Sequence, residues 1–242
     1  MLKKMRRSAA SMFAVAALLG LASLPAFAAG EVVAGVVITL TGAPGLKLAG
    51  KTAVKPLKRN QFVNEGDSII TKAGEFAAIA FIGGAEVRIS ESSTFVVESG
   101  GGQKPTQLFT TIGKAWTRML HGHSGIRIRT PTAVAAVRGT EADVESNERM
   151  TVKVYEGFVD VENEHGKQAL VAGQMTQVAN AGSAPEAPKA MTDADKGTWQ
   201  DALKAEGVEK QIGRLQNEAD RRRSLELKTK DGKKIKLNLE KK

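Results

Sequence analysis

Three histidines, His121, His123 and His165, are the chain's whole stock of imidazole, and it has no cysteine. His121-Gly122-His123 would place two imidazoles on one side of an extended strand, as some metal sites do. No Asp, Glu or Cys nearby in sequence completes a ligand set, so the pair reads as part of a loop and no metal is expected. Serine, histidine and aspartate are all present, but no serine sits in a Gly-x-Ser-x-Gly turn. Gly100-Gly101-Gly102 precedes neither a helix nor a Lys-Ser/Thr pair, so it reads as a connection rather than a phosphate loop. Glu141, Asp143 and Glu145 alternate, placing three carboxylates on one strand face. They could hold a cation or share acid–base work, but a solvated strand face is the simpler reading. The expectation is a protein with no catalytic residues and no cofactor. A carbohydrate-active enzyme would need a carboxylate pair facing a cleft, which the sequence does not place.

Arg138 is the charged residue of most interest, because it interrupts an apolar run. A buried guanidinium must be paired or reach water. Glu141 or Glu156 are its expected partners, and pinning two layers together is its expected role. Around it, Thr130-Pro131 begins the run and Arg138-Gly139-Thr140 breaks it before β alternation resumes. Pro131 fixes its own φ and disfavours helix at Thr130, while Gly139 permits a bend or bulge.

From Glu31 to about Asn180 the pattern is β throughout, in short runs rich in Val, Ile, Phe and Thr. Gly42, Gly66-Asp67, Gly83-Gly84, Gly157 and Gly173 punctuate them, which argues a sandwich, barrel or solenoid. Thr71 to Ile79 echoes Thr130 to Val137: a Thr, a turn, then a strand of small residues. Such an echo suggests two stacked layers, although short apolar runs also match by coincidence. Gly182 to Pro188 has linker composition. Thr192 then caps a helix expected to run to about Ala205, with a second from Val208 to Arg223. Val208, Ile212 and Leu215 form a narrow stripe that could lie along the β body. In the tail, Leu225, Leu227 and Thr229, then Ile235, Leu237 and Leu239, alternate around Asp231-Gly232, a strong hairpin signal. An isolated hairpin is marginal in water, so this one is expected to add to a sheet or pair with a partner.

Several of these motifs together resemble the FecR-domain family, named after a periplasmic regulator of iron transport. They are Gly66-Asp67 with Ile69 and Thr71, Ala78 to Phe81 with Gly84 and Val87, and the Thr130, Pro131, Arg138, Gly139, Thr140 signature. Val154-x-Glu156-Gly157-x-Val159-x-Val161 and Ala172-Gly173-Gln174 complete the set. The resemblance implies a β-rich, solenoid-like periplasmic domain. In the founding regulators that domain relays occupancy of an outer-membrane transporter to a cytoplasmic sigma factor. This chain differs in carrying a signal-peptide pattern where those regulators have a cytoplasmic segment and a membrane helix.

That pattern is Lys3, Lys4, Arg6 and Arg7, an apolar stretch from Met12 to Leu24, and Ala26-Phe27-Ala28 as a cleavage site. The apolar stretch is short of the about 20 residues that span a bilayer. The formal charge of +9 divides unevenly. Residues 29–206 hold 19 basic and 20 acidic residues, whereas 207–242 hold 12 basic and 6 acidic. Nucleic acid is not an expected partner of an exported chain with few aromatic residues near its basic segment.

The expected organisation is a signal peptide at 1–28, a FecR-like β domain at 29–180, a linker at 181–191, a helical segment at 192–223 and a basic hairpin tail at 224–242. The fold class is mainly β, solenoid-like or double-layered. The expected function is a non-enzymatic interaction or sensory module of the cell envelope, exported to the periplasm and not membrane-spanning after processing. The alternative is a binder of peptidoglycan or anionic polysaccharide, through Arg221, Arg222, Arg223, Lys228, Lys230, Lys233, Lys234 and Lys236. An envelope protein or an anionic envelope polymer is the expected partner.

Overall fold

The structure, a computed structural model, describes residues 32–101, 103–120, 124–139, 141–203, 207–228 and 234–238. For residues 202, 223–228 and 234–238 it describes the backbone alone. The 1–28 leader, His121, His123, Thr140, Lys230, Lys233 and the Asp231-Gly232 turn lie outside the described residues.

In chain order the strands are β1 (Val33–Thr41), β2 (Gly45–Lys47), β3 (Val54–Pro56), β4 (Phe62–Asn64), β5 (Ser68–Thr71) and β6 (Phe76–Phe81). Next come β7 (Ala85–Ile89), β8 (Ser93–Ser99), β9 (Thr106–Met119), β10 (Ile126–Arg129), β11 (Val134–Val137) and β12 (Glu141–Ser146). The series closes with β13 (Met150–Glu156), β14 (Phe158–Asn163), β15 (Gly166–Val171), β16 (Gln174–Val178) and β17 (Lys189–Ala190). Two 3-10 turns, Asp193–Asp195 and Trp199–Leu203, lead to helix α1 (Val208–Arg223) and the strands β18 (Ser224–Lys228) and β19 (Lys234–Asn238).

The protein is mainly β. Strands β1 to β17 form one 17-stranded sheet that folds into two layers without closing into a barrel. Layer A runs β4-β1-β6-β7-β9-β12-β13-β16-β17. Layer B runs β3-β2-β5-β8-β9-β10-β11-β14-β15, and β9–β10 is its one parallel pair. Strand β9 belongs to both layers. It pairs with β8 up to Ile112 and with β12 from Gly113 onward. Gly113 makes that crossing possible: its φ is +143°, and a Cβ there would lie 2.6 Å from the Cβ of Ser93. Phe109–Thr111 and Ala115–Arg118, on either side of Gly113, therefore lie on one strand.

Strand alternation explains the core. In β7, Ala85, Val87 and Ile89 point between the layers, and Glu86 and Arg88 point away. The same division places Phe95 and Val97 of β8, Val144 of β12 and Val159 and Val161 of β14 in the interlayer core. The echoed segments fall one in each layer, since β6 pairs in layer A and β11 in layer B.

A second, smaller core lies on the far side of layer A. Val208, Ile212 and Leu215 of α1 pack with Leu203 on Val36, Ile38, Ala78 and Ala80. The narrow apolar stripe thus lies along the β body. Over its described residues, up to Leu203, the helix expected from Thr192 to about Ala205 is instead two short 3-10 segments. Thr192 still forms a capping box with Asp195, but Lys196 is already extended, and Gly197 follows it at no helical turn. The proline-rich segment before it is tied down along β16: the Thr176 hydroxyl donates to the Glu186 carbonyl at 2.6 Å, and Glu186 N–H donates to the Gln177 carbonyl at 2.9 Å. Strands β18 and β19 pair with each other, with Leu225 opposite Leu237 and Leu227 opposite Ile235. Among the described residues this hairpin is a two-stranded sheet of its own, so the expected addition to the main sheet is not seen.

Candidate functional site

The signature residues flank β11 in layer B, Thr130-Pro131 at its start and Arg138-Gly139 at its end. The buried Thr130 hydroxyl accepts from the Thr132 and Ala133 amides, each at 3.2 Å, and donates to the Ala133 carbonyl at 3.0 Å. That closes the turn between β10 and β11 around an exposed Pro131. One step beyond β11, the Arg138 N–H donates to the Phe158 carbonyl at 3.2 Å. Its guanidinium is 58% exposed and lies 3.5 Å from Asp160, which also pairs with Lys167 at 3.1 Å. The expected partners Glu141 and Glu156 are not used. Those two glutamates oppose each other across β12 and β13. Burial, and then the Glu156 charge, push the Glu141 carboxyl up from its ordinary value.

Gly139 and Gly157 meet backbone to backbone. A Cβ on Gly139 would lie 2.5 Å from both the Gly157 Cα and the Phe158 nitrogen. Gly157 itself has φ +79°. The Arg138-Gly139 and Glu156-Gly157 pairs are therefore two halves of one close contact.

The outward side chains of layer A make a second constellation, in which the carboxylate row of β12 supplies Asp143 and the other members were not anticipated from sequence. Glu86 is fully buried between two arginines. Its Oε1 accepts from Arg88 Nε at 2.7 Å, and its Oε2 accepts from Arg118 Nη2 at 2.6 Å. The Arg88 guanidinium lies 4.2 Å from the centre of the Trp116 ring and donates to the Gln200 carbonyl at 2.7 Å. Strand register carries the row onward: Arg88 opposes Trp116, Trp116 opposes Asp143, and Asp143 opposes Lys153. Asp143 is 2% exposed and sits with the Lys114 ammonium at 3.4 Å and the Tyr155 hydroxyl at 3.0 Å. Burial pushes its carboxyl above the usual range against the pull of Lys114 and Tyr155. The carboxylate face expected to be solvated is covered at its middle residue, because the 193–203 segment lies across it.

That segment is held by backbone bonds as well as by the buried Leu203. Lys153 Nζ donates to the Asp195 carbonyl at 2.5 Å, and the Gly197 N–H donates to the Tyr155 oxygen at 3.3 Å. Trp199 stacks on Phe76, ring centres 6.4 Å apart. The signal in sequence was available: Ala85-Glu-Val-Arg-Ile89 and Lys114-Ala-Trp-Thr-Arg-Met119 each alternate apolar with charged or aromatic residues. What the sequence could not show was the cover.

The interaction candidates at the end of α1 are anchored within the chain. Arg221 and Arg222 both bond Glu218, at 2.7 and 2.8 Å, and hold its carboxyl down to about 2. Arg222 also reaches Asn64 at 3.2 Å and lies over the Phe62 ring. Arg223, Lys228, Lys234 and Lys236 are placed by backbone alone. Among the described residues no three His, Cys, Asp or Glu side chains gather as metal ligands, and no helix is long and apolar enough to cross a membrane.

Residues 67–160 match the family described as FecR protein. Two crystal structures of a candidate anti-sigma factor from Parabacteroides distasonis, at 1.65 and 2.50 Å resolution, are similar to part of the chain. Each is 18% identical with a TM-score of 0.45, and the match covers 51% of this chain and 59% of that one. The chain thus spans about three fifths of the length of those proteins. No curated protein matches it.

Proposed function

We propose that this chain is a non-enzymatic, FecR-like sensory or interaction module of the cell envelope, exported to the periplasm. The observation that carries the reading is the match of residues 67–160 to the FecR family, whose regulatory character points to binding rather than catalysis. The signature residues fit such a role: they fasten β11 to β14 and leave Arg138, Phe158 and Val171 exposed on the outer side of layer B. Phe158 and Val171 are direct cross-strand neighbours, an apolar pair beside a cation, as at many protein contacts. The basic leader and the apolar stretch after it support export.

In-cell photo-crosslinking from Phe158 and from the tail tests the reading. The expected result is a discrete adduct with one envelope protein in the periplasmic fraction. Protein found in the cytoplasm, with no adduct, rejects it. The surplus of basic residues in 207–242 favours the second reading, binding to peptidoglycan or an anionic polysaccharide. Salt-sensitive sedimentation with purified cell wall, without a protein adduct, selects it.

A further inference from the structure

We propose that the 193–203 segment is a proton-controlled cover over the charged half of layer A, which closes more tightly as the medium becomes acidic. The inference goes beyond the envelope reading and stands on different residues.

Two carboxyls of β12 lie where the segment meets the sheet. Asp143 is 2% exposed. Its Oδ2 accepts from the Tyr155 hydroxyl at 3.0 Å and pairs with the Lys114 ammonium at 3.4 Å. Among the described residues, its Oδ1 has no hydrogen-bond partner. Gly197 of the segment passes close by, since a Cβ there would lie 3.7 Å from Oδ2. A buried carboxylate with one oxygen unbonded is costly when ionised and much less so when neutral. Glu141, two residues earlier on the same strand face, is opposed by Glu156 across β12 and β13. It also feels the charge of Asp201, which belongs to the segment. Closing the cover therefore desolvates one carboxyl and brings a like charge toward another.

Cations face both groups as well. Lys114 of β9 and Lys153 of β13 flank Asp143, while Arg118 of β9 and Arg88 of β7 favour the ionised form of Glu141. They do not prevail. Burial, the largest influence on each, pushes both carboxyls above their ordinary values of 3.8 and 4.5. Linkage then fixes the sign. The closed form keeps these protons at a pH where the open form has released them, so acidification favours closure. The added closure is fully present below the ordinary values and is lost as pH rises through the raised ones. The segment is built to lift locally: it has two short 3-10 turns and no place in the main sheet. Leu203, fixed in the second core, marks where the moving part ends.

The test is hydrogen exchange in the full-length chain at about pH 4.5 and about pH 7.5, with rates corrected for the intrinsic pH dependence of amide exchange. Protection of the 193–202 amides should rise on acidification, by about tenfold for each unit that closure raises a carboxyl. Protection in β9 and β14 should stay constant. Asp143→Asn, neutral at every pH, should keep the segment protected at both values and remove most of the response. Glu141→Gln should remove part of it, and decides the matter if Asp143→Asn fails to fold. Trp116 and Trp199, the chain's two tryptophans, both lie in the seam, so acrylamide quenching should fall in parallel. Three results overturn the proposal: protection that is constant or declines on acidification, a rise shared equally by β9 and β14, or a full response kept by either variant.

Discussion

Layers A and B are built from the same alternating strands, yet their outer faces have opposite fates. The face of layer A carries Val36, Ile38, Ala78 and Ala80 on one half and Glu86, Arg88 and Asp143 on the other. Helix α1 covers the apolar half together with Leu203, and the rest of the 193–203 segment extends over the charged half. Among the described residues nothing comparable lies over layer B, whose outward residues include the exposed Phe158, Val171 and Arg138. Alternation therefore decides which residues point outward, and the covering chain decides whether they meet water. An ion pair means different things on the two faces.

The largest expected effect tests that difference directly. Glu86→Ala removes the buried carboxylate that bonds both Arg88 and Arg118, leaving the Arg88 guanidinium, 3% exposed, without that counter-charge. Breaking a buried pair from one side costs about 3–5 kcal/mol. On layer B, Arg129 pairs with Glu98 in water, at side-chain exposures of 49% and 29%. Glu98→Ala should cost about 0–1 kcal/mol. Urea denaturation of the two variants measures both. Equal losses would mean that the cover over layer A does not exclude water, and the contrast between the faces would fail.

A middle-sized effect is expected at the end of β11. Gly139→Val should destabilise by about 1–3 kcal/mol, since the new Cβ would meet backbone atoms of Gly157 and Phe158 that cannot swing aside. The cause is close approach: no left-handed φ is recorded at Gly139, whereas Gly157 has one. Thermal denaturation checks it. An unchanged melting temperature with lost crosslinking at Phe158 would make this stretch a recognition loop rather than a fastening.

How much of this was legible in sequence follows the range of the interactions. Strands β5 and β10 to β15 could be read closely, because Val, Ile and Thr alternate between clear Gly and Pro punctuation. The short β2, β3 and β4 escaped: three residues are too few to show a period. The crossing at Gly113 leaves no mark in sequence, because a glycine between two apolar runs does not show that one strand passes from one layer to the other. The partner of Arg138 was misjudged for a related reason. Asp160 is 22 positions away in sequence by residue number, brought close by the pairing of β11 with β14. The covered cluster was the least visible of all, since Glu86, Trp116, Asp143 and Trp199 belong to four separate elements. Its strand members could be placed on a face, but nothing local to them says that a later segment returns to lie there.

The smallest expected effect on stability belongs to the tail. Strands β18 and β19 bond only each other among the described residues, so neither face of the β body depends on them. Deleting Ser224 to Lys242 should leave the body's unfolding free energy within about 0.5 kcal/mol, the ordinary range for changes outside any core. Helix α1 should stay docked, because Leu215 is fully buried and Arg222 fastens its last turn to Asn64. Binding is where the deletion should register. A tail that served only to keep the chain soluble would not need Leu225, Leu227, Ile235 and Leu237 paired across two strands. A tail that bound polyanions by charge alone would not need them either. Deletion should therefore weaken association with the envelope, and the intact chain's binding should fall between low and physiological salt, where charges are screened beyond about 8 Å. Measured together, the two quantities separate the roles. Loss of stability with unchanged binding would make the hairpin part of the body, and equal binding by both chains at every salt concentration would return the interaction to the open face of layer B.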